Sequence, residues 1–245
     1  MHSTFENFQK HLQSKYSKSS LPTDKISPNL ISPFVLKLPK TILEQAKNIT
    51  ADLHALGKSP FYRSQIQPEI PIDLTQAQPT KSILNSLDVH INPQGQLKII
   101  EVNTNASSYM VNAENYEQRG IKTFSGAFEK LRQSFSETFG EALMPGKLFL
   151  IIDENPTAQN LYIEFLLFKN WISQTFAVDC EIADHKDLKF SEGGITFNGR
   201  TVSGIYNRHT DFYFSNDKNL QQAYANQKTL ISPNPLGYAL WADKK

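Results

Sequence analysis

One cysteine in 245 residues, Cys180, excludes an intramolecular disulfide framework and any zinc cluster built on cysteines. Charge of one sign is equally scarce. The 25 Lys and Arg against 24 Asp and Glu leave a formal net charge of +1, spread along the chain, which offers no nucleic-acid footprint and no charged tail. Long apolar runs are missing too: the stretches near 148–152 and 161–168 fall far short of the roughly 20 residues a membrane span needs. The N-terminus MHSTFENFQKHLQSK is polar and lacks an apolar signal core. Nothing reads GxxxxGK[ST], GxSxG, HExxH or a GxGxxG after a strand. The resulting expectation is a soluble cytosolic protein, without nucleic-acid or membrane partners. Its length suffices for one core or two small ones.

What is present divides into two units without internal repeats. Residues 1–30 are Ser-, Lys- and Gln-rich with few large apolar groups, and are expected to pack weakly. Residues 31–146 read as an α+β part. In it, TILEQAKNITADLHALGKS carries Ile42, Leu43, Ala46, Ile49, Leu53 and Leu56 on one helical face, ending near Gly57. Four prolines over 60–80 predict a long, mostly extended loop. LDVHIN and LKIIEVN flank Pro93-Gln94-Gly95-Gln96 as a β-hairpin, and 116–140 is expected to be helical. After Met144-Pro145-Gly146 the pattern changes. KLFLIIDE is a continuous apolar run of the kind buried in a parallel sheet, LYIEFLLFKNWISQTFA suits a crossover helix, and VDCEIAD is the next strand, with Cys180 in its core. GITFN and RTVSGIYN flank an Asn198-Gly199 hairpin turn. This order predicts an α/β fold whose second unit, 147–231, is a small Rossmann-like layer.

Several motifs carry possible chemistry. In EVNTN the alternation of a strand puts Glu101, Asn103 and Asn105 on one face and Val102 and Thr104 on the other. Three oxygen-bearing side chains can help build a hard-cation site, or merely satisfy the backbone of a turn. Ser107 and Ser108 follow, suited to a ligand carboxylate or phosphate or to starting a helix. Asp88 and His90 share one face of LDVHIN, too few ligands for a zinc site. Gln159 and Asn160 lie where a loop enters a helix, placed to hold an anion or to cap. In YNRHTDF, Arg208 and Asp211 follow a strand end. Arg208 is placed there to bind a carboxylate, or to form a surface pair with Asp211. His209 is a base or simply a surface residue.

Taken in this order, the motifs resemble the eukaryotic-type glutathione synthetases and their bacterial ATP-grasp relatives, over about residues 80–245. Ile100-Glu101-Val102-Asn103-Thr104 matches the strand that supplies Mg²⁺–ATP ligands, with Asn105 and the hydroxyls of Ser107 and Ser108 behind it for a peptide substrate. Asp88 matches an acid on the preceding strand, and Gln159 a substrate contact. Tyr206-Asn207-Arg208 matches a carboxylate-binding strand end. In SPNPLGYALWADKK, Lys244 and Lys245 match paired lysines near nucleotide phosphate. The bacterial pattern tends to have glycines where this chain has Ser107-Ser108-Tyr109. The resemblance implies that Glu101 and Asn103 help hold Mg²⁺, that Asp88, Asn105, Ser107, Ser108, Gln159, Arg208 and Asp211 surround a small carboxylate or peptide substrate, and that Lys244 and Lys245 face the nucleotide. It also implies a nucleotide-binding part beginning at 232–245, with the Gly-rich lid and remaining Mg²⁺ carboxylates beyond it. The expectation is therefore the substrate-side portion of a carboxylate–amine ligase, inactive until another chain or segment supplies ATP-grasp elements. The alternatives are a stand-alone peptide- or amino-acid-binding module, or a vestigial protein.

Overall fold

The computed structural model describes residues 2–17, 21–73, 82–121 and 126–244. Its centre is a six-stranded mixed sheet in the order β4-β3-β7-β6-β5, with β8 also beside β7. Strand β3 (Leu148–Asp153) is buried at every position, which is why KLFLIID reads as an unbroken apolar run rather than an alternation. Helix α6 (Tyr162–Phe176) crosses over to β4 (Asp179–Asp184), parallel to β3. Strand β7 (Arg200–Asn207) pairs parallel to β3 on its other side. The end of β7 runs parallel to β8 (Leu230–Ser232), while its start pairs antiparallel to β6 (Gly194–Phe197), itself paired with β5 (Lys189–Ser191). Asn198 and Gly199, at φ 49° and 76°, make the β6–β7 turn, as a tight hairpin requires. The parallel strands all end on one side, so Asp153, Asp184, Asn207 and Ser232 share a carboxyl edge.

Alternate residues of β3 feed two cores. Phe149 and Ile151 pack with Cys180 and Tyr206 under helices, and Leu148, Leu150 and Ile152 pack with Ile205, Phe214 and Leu220 on the opposite face. Phe135, on α5 (Ala127–Phe139), centres the first core. Its ring lies 5.2 Å from Trp171, 5.6 Å from Tyr206 and 6.2 Å from Phe168, in the range where aromatic pairs attract. Burial pushes the Cys180 thiol above its usual range.

Three expectations are corrected. Residues 2–17 do not pack weakly: α1 (His2–Lys15) inserts Phe8 and Leu12, both fully buried, into the first core. Phe5 and Tyr16 pack against the same core, so the apolar side of a mostly polar helix docks it. Over 60–80, Pro60 starts a helix instead of breaking one. Ser59 accepts a hydrogen bond from the Tyr62 amide at 3.3 Å, and α3 (Pro60–Ile66) follows, because proline at the first helical position loses no intrahelical bond. Residues 74–81 lie outside the described residues. The expected 116–140 helix is two, α4 (Tyr109–Gln118) and α5, interrupted around Gly120 and Gly126, at φ 67° and 82°. Helix α7 (Lys218–Asn226) was not anticipated.

Helix α2 (Lys40–Lys58) and the hairpin of β1 (Ser86–Ile91) and β2 (Leu97–Asn103) form as expected. Helix α8 (Pro235–Trp241) ties them together. The Trp241 indole donates to Leu53 O at 3.1 Å, and Gln45 of α2 bonds both Gly95 O and the Leu97 amide. Among the described residues no helix is long and apolar enough to cross a membrane.

In β7, Gly204 is closely covered by side chains: an added Cβ would lie 2.9 Å from Phe149 Cε2 and 3.2 Å from the Ala142 methyl. Gly204→Ala should therefore cost about 1–3 kcal/mol through overpacking, read as a lower urea midpoint. An unchanged midpoint would mean that the Phe149 ring has room to move.

Candidate functional site

The hairpin end collects one group of charged residues. Asp88 and Glu101 are cross-strand partners, with a register shift that leaves Ile100 as the extra residue of a bulge. Two carboxylates placed opposite each other repel. Lys244, arriving from the far end of the chain, donates to Glu101 Oε2, and the Asn103 amide donates to Glu101 Oε1 at 2.9 Å. First the lysine, then Asn103, hold the Glu101 carboxyl below its usual range, and Glu101 raises Lys244 in turn. Four expected residues thus meet. Lys245 lies outside the described residues.

Asn105 does not join them. Strand β2 ends at Asn103, Thr104 turns inward and is buried, and Asn105 Nδ2 instead donates to Arg208 O at 3.0 Å. Arg208, just past β7 and only 7% exposed, answers with its guanidinium. Nη1 donates to Ala106 O at 2.7 Å and to the Tyr206 hydroxyl at 3.3 Å, and Nη2 donates to Asn105 O at 3.3 Å. Its Nε is buried without a partner. The expected carboxylate binder is therefore engaged largely by the 105–106 turn.

Ser107 is exposed and Ser108 half-buried. Ser108 has φ 62° and ψ 19°, a left-handed conformation that costs a non-glycine residue roughly 1–2 kcal/mol. A glycine at this position would relieve it. Beyond Ser108, the carboxylate of Glu164 on α6, 1% exposed, accepts the Met110 amide at 3.0 Å and the Val111 amide at 2.8 Å. These are amides of the first turn of α4, which no intrahelical carbonyl can serve. Burial raises the Glu164 carboxyl, against the pull of both amides and of Arg208.

Gln159 sits apart. It is exposed, donates to Glu154 O at 2.8 Å, and lines with Asn160, Tyr162 and Ile163 a cleft of about 220 Å³. Asp211 caps its own loop, accepting the Ser215 and Asn216 amides at 2.9 and 2.7 Å. No ion pair joins Asp211 to Arg208 among the described residues, because the guanidinium turns toward the 105–106 carbonyls.

A second polar group is buried at the carboxyl edge: it includes His209, 7% exposed rather than a surface residue, and His185 and Asp217, which sequence reasoning missed. His185, following β4, stacks on His209, following β7, at 4.1 Å and 16°. His185 Nδ1 lies 2.6 Å from Asp217 Oδ2, while His185 Nε2 and His209 Nδ1 are buried without partners. Burial, then His185, holds His209 below its usual range, opposed by Asp211, Glu154 and Asp217. Asp153, ending β3, is raised chiefly by burial. Position at strand ends was the one signal available. The His185–Asp217 pairing spans 32 residues and leaves no local pattern. Elsewhere, His11, Glu114 and Glu117 lie within reach of a common metal ion, but the Lys15 ammonium, 3.0 Å from Glu114 and 2.6 Å from Glu117, already fills that place.

Comparison with known proteins yields only a distant structural similarity. No family model matches the chain, and no curated protein does. Among solved structures, it is similar to a glutathione synthetase-like effector from Globodera pallida in its apo form. The identity is 17% and the TM-score 0.45, over 96% of this chain and 62% of that one. The chain thus spans less than two thirds of that structure.

Two outcomes are expected here. Ser108→Gly should leave stability within about 1 kcal/mol, since relief of the left-handed strain offsets added unfolded-state freedom. Ser108→Val should cost roughly 1–3 kcal/mol, and chemical denaturation of the pair would show equal losses if the conformation were free to relax. For His209, whose folded pKa lies below the unfolded value of 6.5, the unfolded chain binds the proton first. The corresponding stability is complete above that pH and is lost as pH falls through the folded value. The urea midpoint of wild type should thus fall more steeply from pH 7.5 to 5.5 than that of His209→Phe. Parallel curves would remove His209 as the cause.

Proposed function

We propose that the chain forms the substrate-side portion of an ATP-dependent carboxylate–amine ligase of the glutathione-synthetase-like ATP-grasp type, without turnover of its own. The observation that carries this reading is the meeting of Asp88, Glu101, Asn103 and Lys244 at the hairpin end, with Lys244 reaching Glu101 across 143 residues of sequence. Residues 31–146 would carry this hairpin, 147–231 the substrate-binding layer, and 232–245 the approach to a nucleotide-binding part supplied by another segment or chain.

The donor set suits magnesium in kind: carboxylate and amide oxygens on one hairpin, with a site of few charges that leaves room for phosphate oxygens. Glu101 and Asn103 would hold the ion, with Asp88 beside them, and Lys244 would pass from Glu101 to a phosphate oxygen. When bound, Mg²⁺–ATP supplies the phosphoryl group that activates a carboxylate for attack by an amine. The chain's own residues bind and orient. Ser107 and Ser108 would offer hydroxyls and Arg208 the donor at its Nε to a ligand carboxylate, with Asn105 beside them; Gln159 and Asp211, held in their own loops, would take part only from a distance. Substrate binding by these groups alone does not stabilise a transition state, so the isolated chain would bind without turning over.

Calorimetric titration with glutathione, a tripeptide bearing two carboxylates and an ammonium, tests the reading with and without Mg²⁺ and ATP. Wild type should bind more tightly with Mg²⁺–ATP, and Glu101→Gln should remove that gain, about tenfold or more, while leaving metal-free affinity unchanged. Equal losses with and without metal would sink the metal role. Binding indifferent to Mg²⁺–ATP would leave a peptide-binding module.

A further inference from the structure

Two buried charged side chains hold the same short loop from opposite ends. On its N-terminal side Arg208 donates to the carbonyls of Asn105 and Ala106, at 3.3 and 2.7 Å. On its C-terminal side Glu164 accepts the amides of Met110 and Val111, at 3.0 and 2.8 Å. The cation takes acceptors and the anion takes donors, so each satisfies backbone groups that the turn and the helix start leave open. Arg208 and Glu164 are 7% and 1% exposed. Hydrogen bonds to ionised groups are stronger than neutral ones, and a buried charge is tolerated only when so engaged. Between the two clamps lie Ser107 and Ser108, and Ser108 is the residue in left-handed backbone. Such a conformation persists only where the surroundings over-determine it.

We propose that Glu164 is the positioning residue of the Ser107–Ser108 loop, the anionic half of a clamp whose cationic half is Arg208. The assignment rests on the ligase reading only for what the loop holds; that Glu164 sets the loop's geometry is independent of it. Nothing about Glu164 in the sequence announces this role, since it sits within the apolar crossover helix. Its carboxylate also occupies the N-terminus of α4, where an anionic ligand group would otherwise be drawn. The loop therefore meets its ligand through serine hydroxyls rather than through the helix end.

Hydrogen exchange and glutathione titration together decide the matter on the intact chain. In Glu164→Gln one amide loses its acceptor. Exchange should rise about tenfold or more at Met110 and Val111, and equally at Ala106, whose amide bonds Leu84 O at 3.4 Å, and at Asn112, whose amide bonds Ser108 O at 3.0 Å. Amides of β3 should keep wild-type protection. Glu164→Asp, which keeps the charge, should fall between, and serves with Arg208→Lys should the glutamine variant not fold. Loosening confined to Met110 and Val111 would overturn the proposal. In the titration, Ser107→Ala and Glu164→Gln should each weaken glutathione, and the double variant should be no weaker than the worse single one. Fully additive losses would also overturn it. If wild type binds no glutathione, the ligase reading fails, and exchange at Ala106 and Asn112 alone decides the role of Glu164.

Discussion

Strand β3 is buried along its whole length, and the rest of the molecule is arranged around that constraint. Each large apolar side chain it removes from water contributes roughly 1.5–3 kcal/mol. Both faces must then be covered and both edges paired. The helices α1, α4, α5 and α6 serve one face; α7 and the β5–β6 strands serve the other. β4 and β7 supply the edges. With faces and edges taken, only the ends of β3 meet irregular chain. Asp153, Asn207, Arg208, His209, His185 and Asp217 are all buried at or beside its carboxyl end. Most polar atoms buried there are engaged with backbone or with one another, while Arg208 Nε, His185 Nε2 and His209 Nδ1 have no partner.

Charge at the candidate site is accordingly paired rather than displayed. Glu101 is held by Lys244, Arg208 by two carbonyls, Glu164 by two amides, and His185 by Asp217. A ligand entering such a site exchanges partners with the protein instead of filling a bare electrostatic hole. Preorganised groups of this kind cost little to reorganise on binding.

The sheet was legible because its signals are local. The apolar run Leu148–Ile152, a crossover-length helix and an Asn-Gly turn each state their structure within a short stretch of sequence, and β3, α6 and the β6–β7 hairpin follow them. The EVNTN strand was legible for the same reason up to Asn103. Beyond it, Asn105 departs from simple alternation, because the strand ends and a partner 103 residues away decides where it turns. Non-local pairings were the common blind spot: Glu164 with α4, His185 with Asp217, and α1 with α4. The N-terminal helix misled by composition. Its polar residues outnumber its apolar ones, yet Phe8 and Leu12 are fully buried in the first core.

That helix has a further anchor. Glu114 of α4, nearly buried, receives the Tyr16 hydroxyl at 2.6 Å, His11 Nε2 at 2.9 Å and the Lys15 ammonium at 3.0 Å. All three come from α1 or the residue after it. Removing one partner of a buried charge commonly costs about 3–5 kcal/mol, and these three partners arrive on one short segment. Proteolytic clipping near Tyr16 would therefore do more than shorten a tail. It would strip a buried carboxylate of its whole escort and open the aromatic core at the place where Phe8 and Leu12 had closed it. The polar start of the chain thus acts as the plug of the molecule.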